Sequence, residues 1–485
     1  MKKLGELISF QLPDEIKELN VADVCDNSKK VTAGSVFAAL KGSSADGKAY
    51  IDEAISNCAM GIISDAENFV NRVEVKNGIP FIFVKNARAE LAHMASKFFP
   101  SNFDNIAAVT GTNGKSSTVD VVRQIWTSAG IAGASIGTLG IIGGKNNESL
   151  SANLTSPGAI DLHKILSRLQ EQKIKNVVLE ASSHGIDQDR IGGLKFAVCA
   201  FTNFSHDHLD YHHTLKNYWR AKERLFSEIA EEKTVVVVNS DDEYSKKIRA
   251  ITEKRKMKCI SYGYSSNDVK IVDVKSEQVH QKVKTMFWGK EVSFALPLQG
   301  KFQIYNALCA AAICHFTGTK LDDIVAGLEK LHPINGRLEL IARVGAANVY
   351  LDYAHSPDAL KNAILSLKDH TGNRVIVVFG CGGNRDVHKR ILMGKVAQEF
   401  ADITIVTDDN PRDENPEQIR KMILDGCPAA TEIADRKSAI EYAIDMLCEG
   451  DGLLVAGKGH ENYQQIGDEF MAFSDREVIL NKVSA

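Results

Sequence analysis

Apolar residues recur along the chain in two rhythms. Short runs of Val, Ile, Ala and Leu, bounded by Gly, Asn or Asp, alternate with longer stretches in which apolar positions return every third or fourth residue. The runs predict buried strands at 106–110, 176–180, 198–202 and 234–239, and the longer stretches predict helices at 116–129, 159–171, 217–231 and 303–316. The alternation returns after Pro333, with strands expected at 348–353, 374–380, 403–407 and 452–456. Helices are expected between them, near 357–368, 387–399, 415–425 and 436–448. Before residue 104 the runs are shorter (Val36–Leu40, Gly61–Ser64, Pro80–Val84), and a helix Ala87–Phe99 stops at Pro100, whose ring cannot continue it. Strands that alternate with helices pair in parallel and need cover on both faces, so the expected class is α/β. Three domains are expected: a small N-terminal α/β domain (1–103), a central domain with a mostly parallel sheet (104–332), and a C-terminal Rossmann-like domain (333–485).

Composition narrows the field. At 485 residues the chain exceeds what one core usually holds, and 44% hydrophobic with 25% charged residues is a globular balance. A formal charge of −4 gives no electrostatic case for nucleic acid or for an anionic membrane surface. Nine cysteines without a C-x-x-C pair point to reduced thiols in a cytoplasmic compartment rather than a disulfide frame. Met-Lys-Lys opens like a signal peptide, but Glu6 and Asp14 interrupt the apolar run a signal needs, and no segment approaches the roughly 18 apolar residues of a membrane span.

The clearest chemistry lies at 105–118, where an apolar strand runs into Gly111-Thr112-Asn113-Gly114-Lys115-Ser116-Ser117 and then into a helix. Glycines let backbone N–H groups approach an anion, and the helix N-terminus presents its positive end there. Lys115 suits the β- and γ-phosphates, and the Ser116 hydroxyl suits Mg²⁺. The strict P-loop pattern wants a glycine where this chain has Val109, so this is a shortened variant.

In an open parallel sheet ligands gather at the carboxyl ends of the strands. In the last block those ends carry Asp352-Tyr-Ala-His355, Gly380-Cys-Gly-Gly-Asn-Arg385-Asp386, Asp408-Asp-Asn-Pro-Arg412 and Gly457-Lys-Gly-His-Glu461. Each alone has the composition of a plain turn; four together on one edge predict a polar crevice in which arginines face carboxylates. In the central block Glu180-Ala-Ser-Ser-His184 and Asp207-His-Leu-Asp-Tyr-His212 also follow strands. Acids and imidazoles near a phosphate loop suit Mg²⁺ and its surroundings, while the His-rich run by itself also fits zinc or a satisfied polar turn.

These motifs, with Tyr305-Asn306-Ala307, Gly336-Arg337 and Asp409-Asn-Pro-Arg412, occur in the order seen in the Mur ligases, and the resemblance covers essentially the whole chain. It is strongest to the branch that adds the third peptide residue, and Asn27-Ser-Lys-Lys-Val-Thr-Ala-Gly34 and Lys41-Gly-Ser-Ser-Ala-Asp-Gly47 resemble that family's uridine-nucleotide domain. The resemblance implies an ATP-dependent, ADP-forming amide ligase of peptidoglycan precursor synthesis. It would join meso-diaminopimelate, or alternatively L-lysine, to UDP-N-acetylmuramoyl-L-alanyl-D-glutamate through an acyl phosphate. A folylpolyglutamate synthase shares the Gly-Thr-Asn-Gly-Lys loop and is the remote alternative.

The residue roles below are implied by the resemblance. Lys115, with Gly111 through Ser117, would bind the phosphates, Asn306 would face adenine, Arg337 the phosphates and Asp352 the ribose. Ser116 would take one Mg²⁺, while Glu180, His208 and Lys222 as a CO₂-derived carbamate would serve a second; sequence chemistry alone reads Lys222 as a solvated helix lysine. Ser28, Ser43 and Ser44 match the uridine diphosphate contacts, and Thr155, Ser156, Ser182, Gln188 and Arg190 the muramoyl-dipeptide arm. Arg385, Asp409, Asn410, Pro411, Arg412, Gly457 and Glu461 match the diaminopimelate contacts. Asn27 and Lys29 stand where the family usually has Asp and Arg, Ser156 where a second Thr is usual, and Asn384 where Asp commonly precedes Arg385. A cytoplasmic monomer with no nucleic-acid partner and no membrane insertion is expected.

Overall fold

A computed structural model describes residues 1–42, 45–68, 70–143, 155–277 and 280–485. The chain forms two compact units, one of residues 1–108, 132–197 and 224–231, the other of 109–131, 198–223 and 232–485.

In the first unit, strands Asp23–Cys25, Ser35–Ala39, Gly61–Asp65 and Ile79–Val84 pair in parallel in that order, and Arg72–Lys76 closes the edge as an antiparallel hairpin with Ile79–Val84. Helix Ala87–Phe98 is capped by Asn86, whose side chain accepts from the N–H groups of Arg88 and Ala89. Its Leu91, Met94 and Ala95 pack with Val36, Ile63 and Ile82 of the sheet in one core. Gly133–Gly137 pairs in parallel with Asn176–Glu180, and helix Ala159–Glu171 turns an apolar stripe inward.

The strand Asn105–Thr110 carries the chain into the second unit, where helix Lys115–Ser128 follows it. Val198–Phe201, Val235–Asn239, Cys259–Gly263 and Val269–Ser276 continue in parallel. The sheet then becomes an antiparallel meander through Gln281–Phe287 and Lys290–Leu296. The six-stranded C-terminal sheet runs Glu339–Val344, Ala347–Asp352, Gly452–Ala456, Val375–Phe379, Ile403–Val406 and Thr431–Glu432, parallel except for the first pair. Separate cores cover its two faces, around Val377, Phe379 and Leu454 on one and Ile376, Val378 and Val455 on the other, as the alternation of strand side chains requires.

The α/β expectation holds, and the strand and helix positions agree to within a few residues. The predicted helix 217–231 is a helix Leu215–Arg224 that passes into a π-turn, Leu225–Ile229. π-Turns within helices are rare and often mark functional positions; Lys222 lies three residues upstream.

Candidate active site

The phosphate loop is built around its two glycines. Gly111 at φ +150° and Gly114 at φ +83° adopt backbone conformations that side chains disfavour. A Cβ on Gly111 would lie 1.9 Å from Thr202 Oγ1, and one on Gly114 would lie 2.3 Å from Asn306 Oδ1. The loop is fixed from behind. Thr202 Oγ1 donates to the Asn113 carbonyl at 2.6 Å, the Asn113 N–H donates to Asn203 Oδ1 at 2.9 Å, and Tyr218 donates to Thr112 Oγ1 at 3.2 Å. Helix Lys115–Ser128 thus starts from a rigid turn that leaves its N-terminus available to an anion.

Lys115 folds onto its own loop, donating to the carbonyls of Gly111 and Thr112 at 3.0 and 2.8 Å. Lys222 is 1% exposed, donates to the same Gly111 carbonyl at 2.6 Å and lies over the Tyr218 ring at 4.6 Å. Burial, reinforced by the charge of Lys115 and opposed by Asp207, holds its pKa well below the ordinary lysine range. The expectation of a solvated helix lysine, drawn from sequence chemistry alone, is therefore corrected: Lys222 faces the loop on the apolar side of its helix, beside the buried Tyr218.

Arg337 joins the two sequence blocks of this unit, donating to Ser116 Oγ at 2.9 Å while its guanidinium lies 4.6 Å from the Tyr353 ring centre. Asp352, at the carboxyl end of its strand, accepts from the Leu338 N–H at 2.6 Å. Burial pushes its pKa up to about 6, against the pull of Arg337 and two backbone N–H groups. Asn306 donates to Gln303 Oε1 at 3.0 Å, beside Gly114. His208, in the left-handed region at φ +54°, donates its N–H to Asp207 Oδ1 at 2.9 Å. Burial raises the Asp207 pKa, but His208, Lys389 and His355 outweigh it and hold the carboxylate ionised. Beside it His206 Nε2 pairs with Asp386 Oδ2 at 2.8 Å.

The second cluster in this unit gathers three of the strand-end loops. A Cβ on Gly383 would lie 1.9 Å from the Pro411 carbonyl and one on Gly382 would lie 2.8 Å from Arg412 NH1, so glycines let the two loops touch. Arg412, at φ +51°, donates from NH1 to the Gly383 carbonyl at 2.8 Å and from Nε to Gln465 Oε1 at 3.2 Å. Burial and the neighbouring Arg385 charge both lower its pKa from the ordinary guanidinium range. Asn410 donates to Glu461 Oε2 at 2.9 Å, and Asp409 Oδ2 lies where a Cβ on Gly457 would come within 2.7 Å. Glu461 is raised by burial and by Asp409, whereas Asp409 itself is held low because Lys458 and Arg436 outweigh its burial. Asn384 sits at φ +51°, a conformation asparagine tolerates well, and donates to Asp413 Oδ2 at 2.6 Å.

The other expected residues belong to the first unit. Ser156 Oγ donates to the Glu180 carbonyl at 2.9 Å and accepts from the Ser182 N–H at 3.1 Å, and Arg190 binds the Ser156 carbonyl at 2.8 Å and Gln188 Oε1 at 2.8 Å. Thr155 accepts from Thr138 Oγ1 at 3.2 Å, so this arm is one connected network. The Glu180 carboxylate accepts from the Thr138 N–H at 2.7 Å. Ser28 donates to Glu53 Oε2 at 2.5 Å. Ser43 and Ser44 lie outside the described residues.

Sequence reasoning missed Lys458, Arg436, Gln464 and Gln465, which hold the second cluster from behind. Gln464 donates to the Asp409 carbonyl at 2.7 Å, the Gln465 N–H donates to Asn410 Oδ1 at 2.9 Å, and Arg436 donates to the Ala456 carbonyl at 2.9 Å. Among the described residues no group of three or more His, Cys, Asp or Glu side chains converges as a metal site. Nor is any helix among them long and apolar enough to cross a membrane.

A phosphate loop at the mouth of a parallel sheet, locked to a second α/β sheet by an arginine, defines a nucleotide-using α/β protein. Comparison with known proteins narrows this. Residues 109–314 match the Mur ligase middle domain, and residues 336–459 the Mur ligase, glutamate ligase domain. A curated relative from Mesorhizobium japonicum, UDP-N-acetylmuramoyl-L-alanyl-D-glutamate–2,6-diaminopimelate ligase, is 42% identical over 95% of this chain and 94% of its own. A solved structure bearing the same enzyme name aligns over 100% of this chain and 99% of its own, with a TM-score of 0.69 and 29% identity. Folylpolyglutamate synthase from Mycobacterium tuberculosis shares the fold over 76% of this chain and 92% of its own, with a TM-score of 0.64 at 17% identity. The chain belongs to the Mur ligase family.

Proposed function

We propose that this chain is an ATP-dependent, ADP-forming ligase that adds meso-diaminopimelate to UDP-N-acetylmuramoyl-L-alanyl-D-glutamate in peptidoglycan precursor synthesis. It acts as a cytoplasmic monomer of three domains, 1–103 for the uridine nucleotide, 104–332 for ATP and 333–485 for the amino acid. The glutamyl γ-carboxylate attacks the γ-phosphorus of ATP and ADP leaves, giving an acyl phosphate. The amine of the incoming amino acid then attacks the acyl carbon, losing a proton, and inorganic phosphate leaves. No protein nucleophile is needed, so the chain's contribution is positioning and charge.

Gly111 through Ser117 and Lys115 hold the phosphates, Arg337 balances their charge, and Asn306 and Asp352 take the adenine and ribose. By the family pattern the Ser116 hydroxyl, the Glu180 carboxylate and His208 would serve Mg²⁺, a hard cation that favours oxygen donors such as the first two. When bound, Mg²⁺ neutralises charge on the transferring phosphoryl group. A buried lysine with a depressed pKa presents the neutral amine that CO₂ carbamylation requires, and this supports an oxygen-rich carbamate at Lys222. Ser28, Ser43 and Ser44 bind the uridine diphosphate, and Thr155, Ser156, Ser182, Gln188 and Arg190 the muramoyl-dipeptide arm.

The choice of diaminopimelate rests on one observation, that Arg412 is held by the Gly383 carbonyl and Gln465 in a partly buried setting beside a second guanidinium, Arg385, with no carboxylate hydrogen-bonded to it among the described residues. Such a group gains most from a carboxylate, which guanidinium binds in a two-bond fork. Glu461 and Asn410 beside it suit the distal ammonium, and L-lysine lacks the distal carboxylate. Product analysis with each amino acid tests the reading: diaminopimelate should be incorporated and L-lysine should not. Equal incorporation of both would overturn the specificity.

A further inference from the structure

Lys458 is fully buried, and its partners are two residues of the amino-acid cluster. Its Nζ donates to Asn410 Oδ1 at 3.0 Å and to Glu461 Oε2 at 3.0 Å, and it lies 5.4 Å from the Tyr463 ring centre. The Asn410 side-chain oxygen also accepts from the Gln465 N–H at 2.9 Å, and its amide donates to Glu461 Oε2 at 2.9 Å. Asn410 thus has its amide orientation fixed by two donors on one atom, because a flipped amide would set N–H against N–H. Burying a lysine without compensation costs several kcal/mol, so one placed between two such residues is held there by their negative and dipolar groups.

We propose that Lys458 is a positioning residue of the amino-acid site, holding the Glu461 carboxylate and the Asn410 amide in the one arrangement that receives the distal ammonium of the substrate. The inference rests on the diaminopimelate reading above. Glu461 faces Asp409, Lys458, Arg412, Arg436, Tyr353 and Tyr463. Asp409 and burial favour its protonated form, and Lys458 is the cation in direct contact with it. A protonated Glu461 could not form an ion pair with an ammonium, so loss of Lys458 should weaken that contact, leave Asp409 with Arg436 as its principal cation, and leave the nucleotide site alone. Lys458 itself never touches the substrate in this account; it acts through Glu461.

The test compares meso-diaminopimelate with 2-aminopimelate, which keeps the distal carboxylate and lacks the distal ammonium. The unmutated chain should prefer diaminopimelate in kcat/KM by at least ~10-fold, the scale of a charged hydrogen-bonded contact. In Lys458→Met the preference should fall below about 3-fold, through a raised KM for diaminopimelate, with the KM for ATP changed less than about 2-fold. The acid limb of kcat/KM should move to higher pH with diaminopimelate and stay in place with 2-aminopimelate. In Glu461→Gln the preference should already be lost, and adding Lys458→Met should lower it no further. Where the methionine variant does not fold, Lys458→Gln, which keeps a donor without the charge, gives the same reading. A preference retained in the Lys458 variants would overturn the proposal. An unmutated chain that does not use diaminopimelate would instead overturn the functional reading on which it rests.

Discussion

Lys222 Nζ lies 2.6 Å from the carbonyl oxygen of Gly111, the same atom that Lys115 reaches at 3.0 Å. Two ammonium groups on one carbonyl would repel strongly in a buried setting, and the depressed pKa of Lys222 relieves this by making the neutral amine accessible. Lys222→Ala should therefore nearly abolish turnover while leaving ATP affinity within a few-fold, and short carboxylates should restore part of the rate. Activity of the unmutated chain should also fall in CO₂-depleted buffer and return with bicarbonate. A fully active Lys222→Ala would refute the carbamate assignment.

Arg412→Ala should lower kcat/KM for diaminopimelate by at least ~100-fold, about 2.7 kcal/mol, the scale for losing a charged hydrogen-bonded pair. The KM for ATP should hardly move. Steady-state kinetics with each substrate varied in turn decides this, and unchanged use of diaminopimelate would remove Arg412 from the specificity site.

Asp352 gives a pH prediction with a definite sign. Its folded pKa, about 6, lies above the value of 3.8 for an unperturbed aspartate. The group is protonated in both states at low pH, and ionising it in the folded state costs stability as pH rises from about 4 to 6, with a constant cost above that. The full effect is about 3 kcal/mol. Asp352→Asn should thus melt close to the unmutated chain at pH 4 and above it at pH 8, while binding ATP more weakly. A melting difference independent of pH would show that burial does not raise this group.

Arg436 and Asp475 form a buried two-bond pair, Nε to Oδ1 and NH2 to Oδ2 both at 2.7 Å, that ties the last helix to the strand end at Ala456. Arg436→Met strands a buried carboxylate and should cost about 3–5 kcal/mol. Adding Asp475→Leu should recover much of it. Thermal unfolding of the single and double variants reads this out, and a single variant as stable as the unmutated chain would count against a tight pair.

These contacts mark where sequence reasoning stops. The phosphate loop and the strand-end loops were legible because Gly, Pro and Asp punctuate a regular alternation and the chemistry sits within a few consecutive residues. Lys458 was not, since a lysine between two glycines reads as a solvated turn. It is buried because the hairpin Tyr463–Ile466 with Glu469–Ala472 follows it and reaches back to Asn410, Arg412 and Asp409. Arg436 was hidden for the same reason, its partner lying on another helix. Lys222 was misread chemically because burial, which no local pattern announces, sets its character. The antiparallel meander Val269–Leu296 is not legible in the sequence although Val283, Thr285 and Phe287 alternate inward along one strand; its neighbours Val269–Ser276 and Lys290–Leu296 bury few of their residues, so the period of two is faint there.

ADP release with single substrates omitted tests the central claim most directly. With ATP and Mg²⁺ present, ADP should form at the full rate only when both UDP-N-acetylmuramoyl-L-alanyl-D-glutamate and meso-diaminopimelate are added, one ADP for each new amide bond. ADP released at the same rate with either one left out would contradict the ligase account.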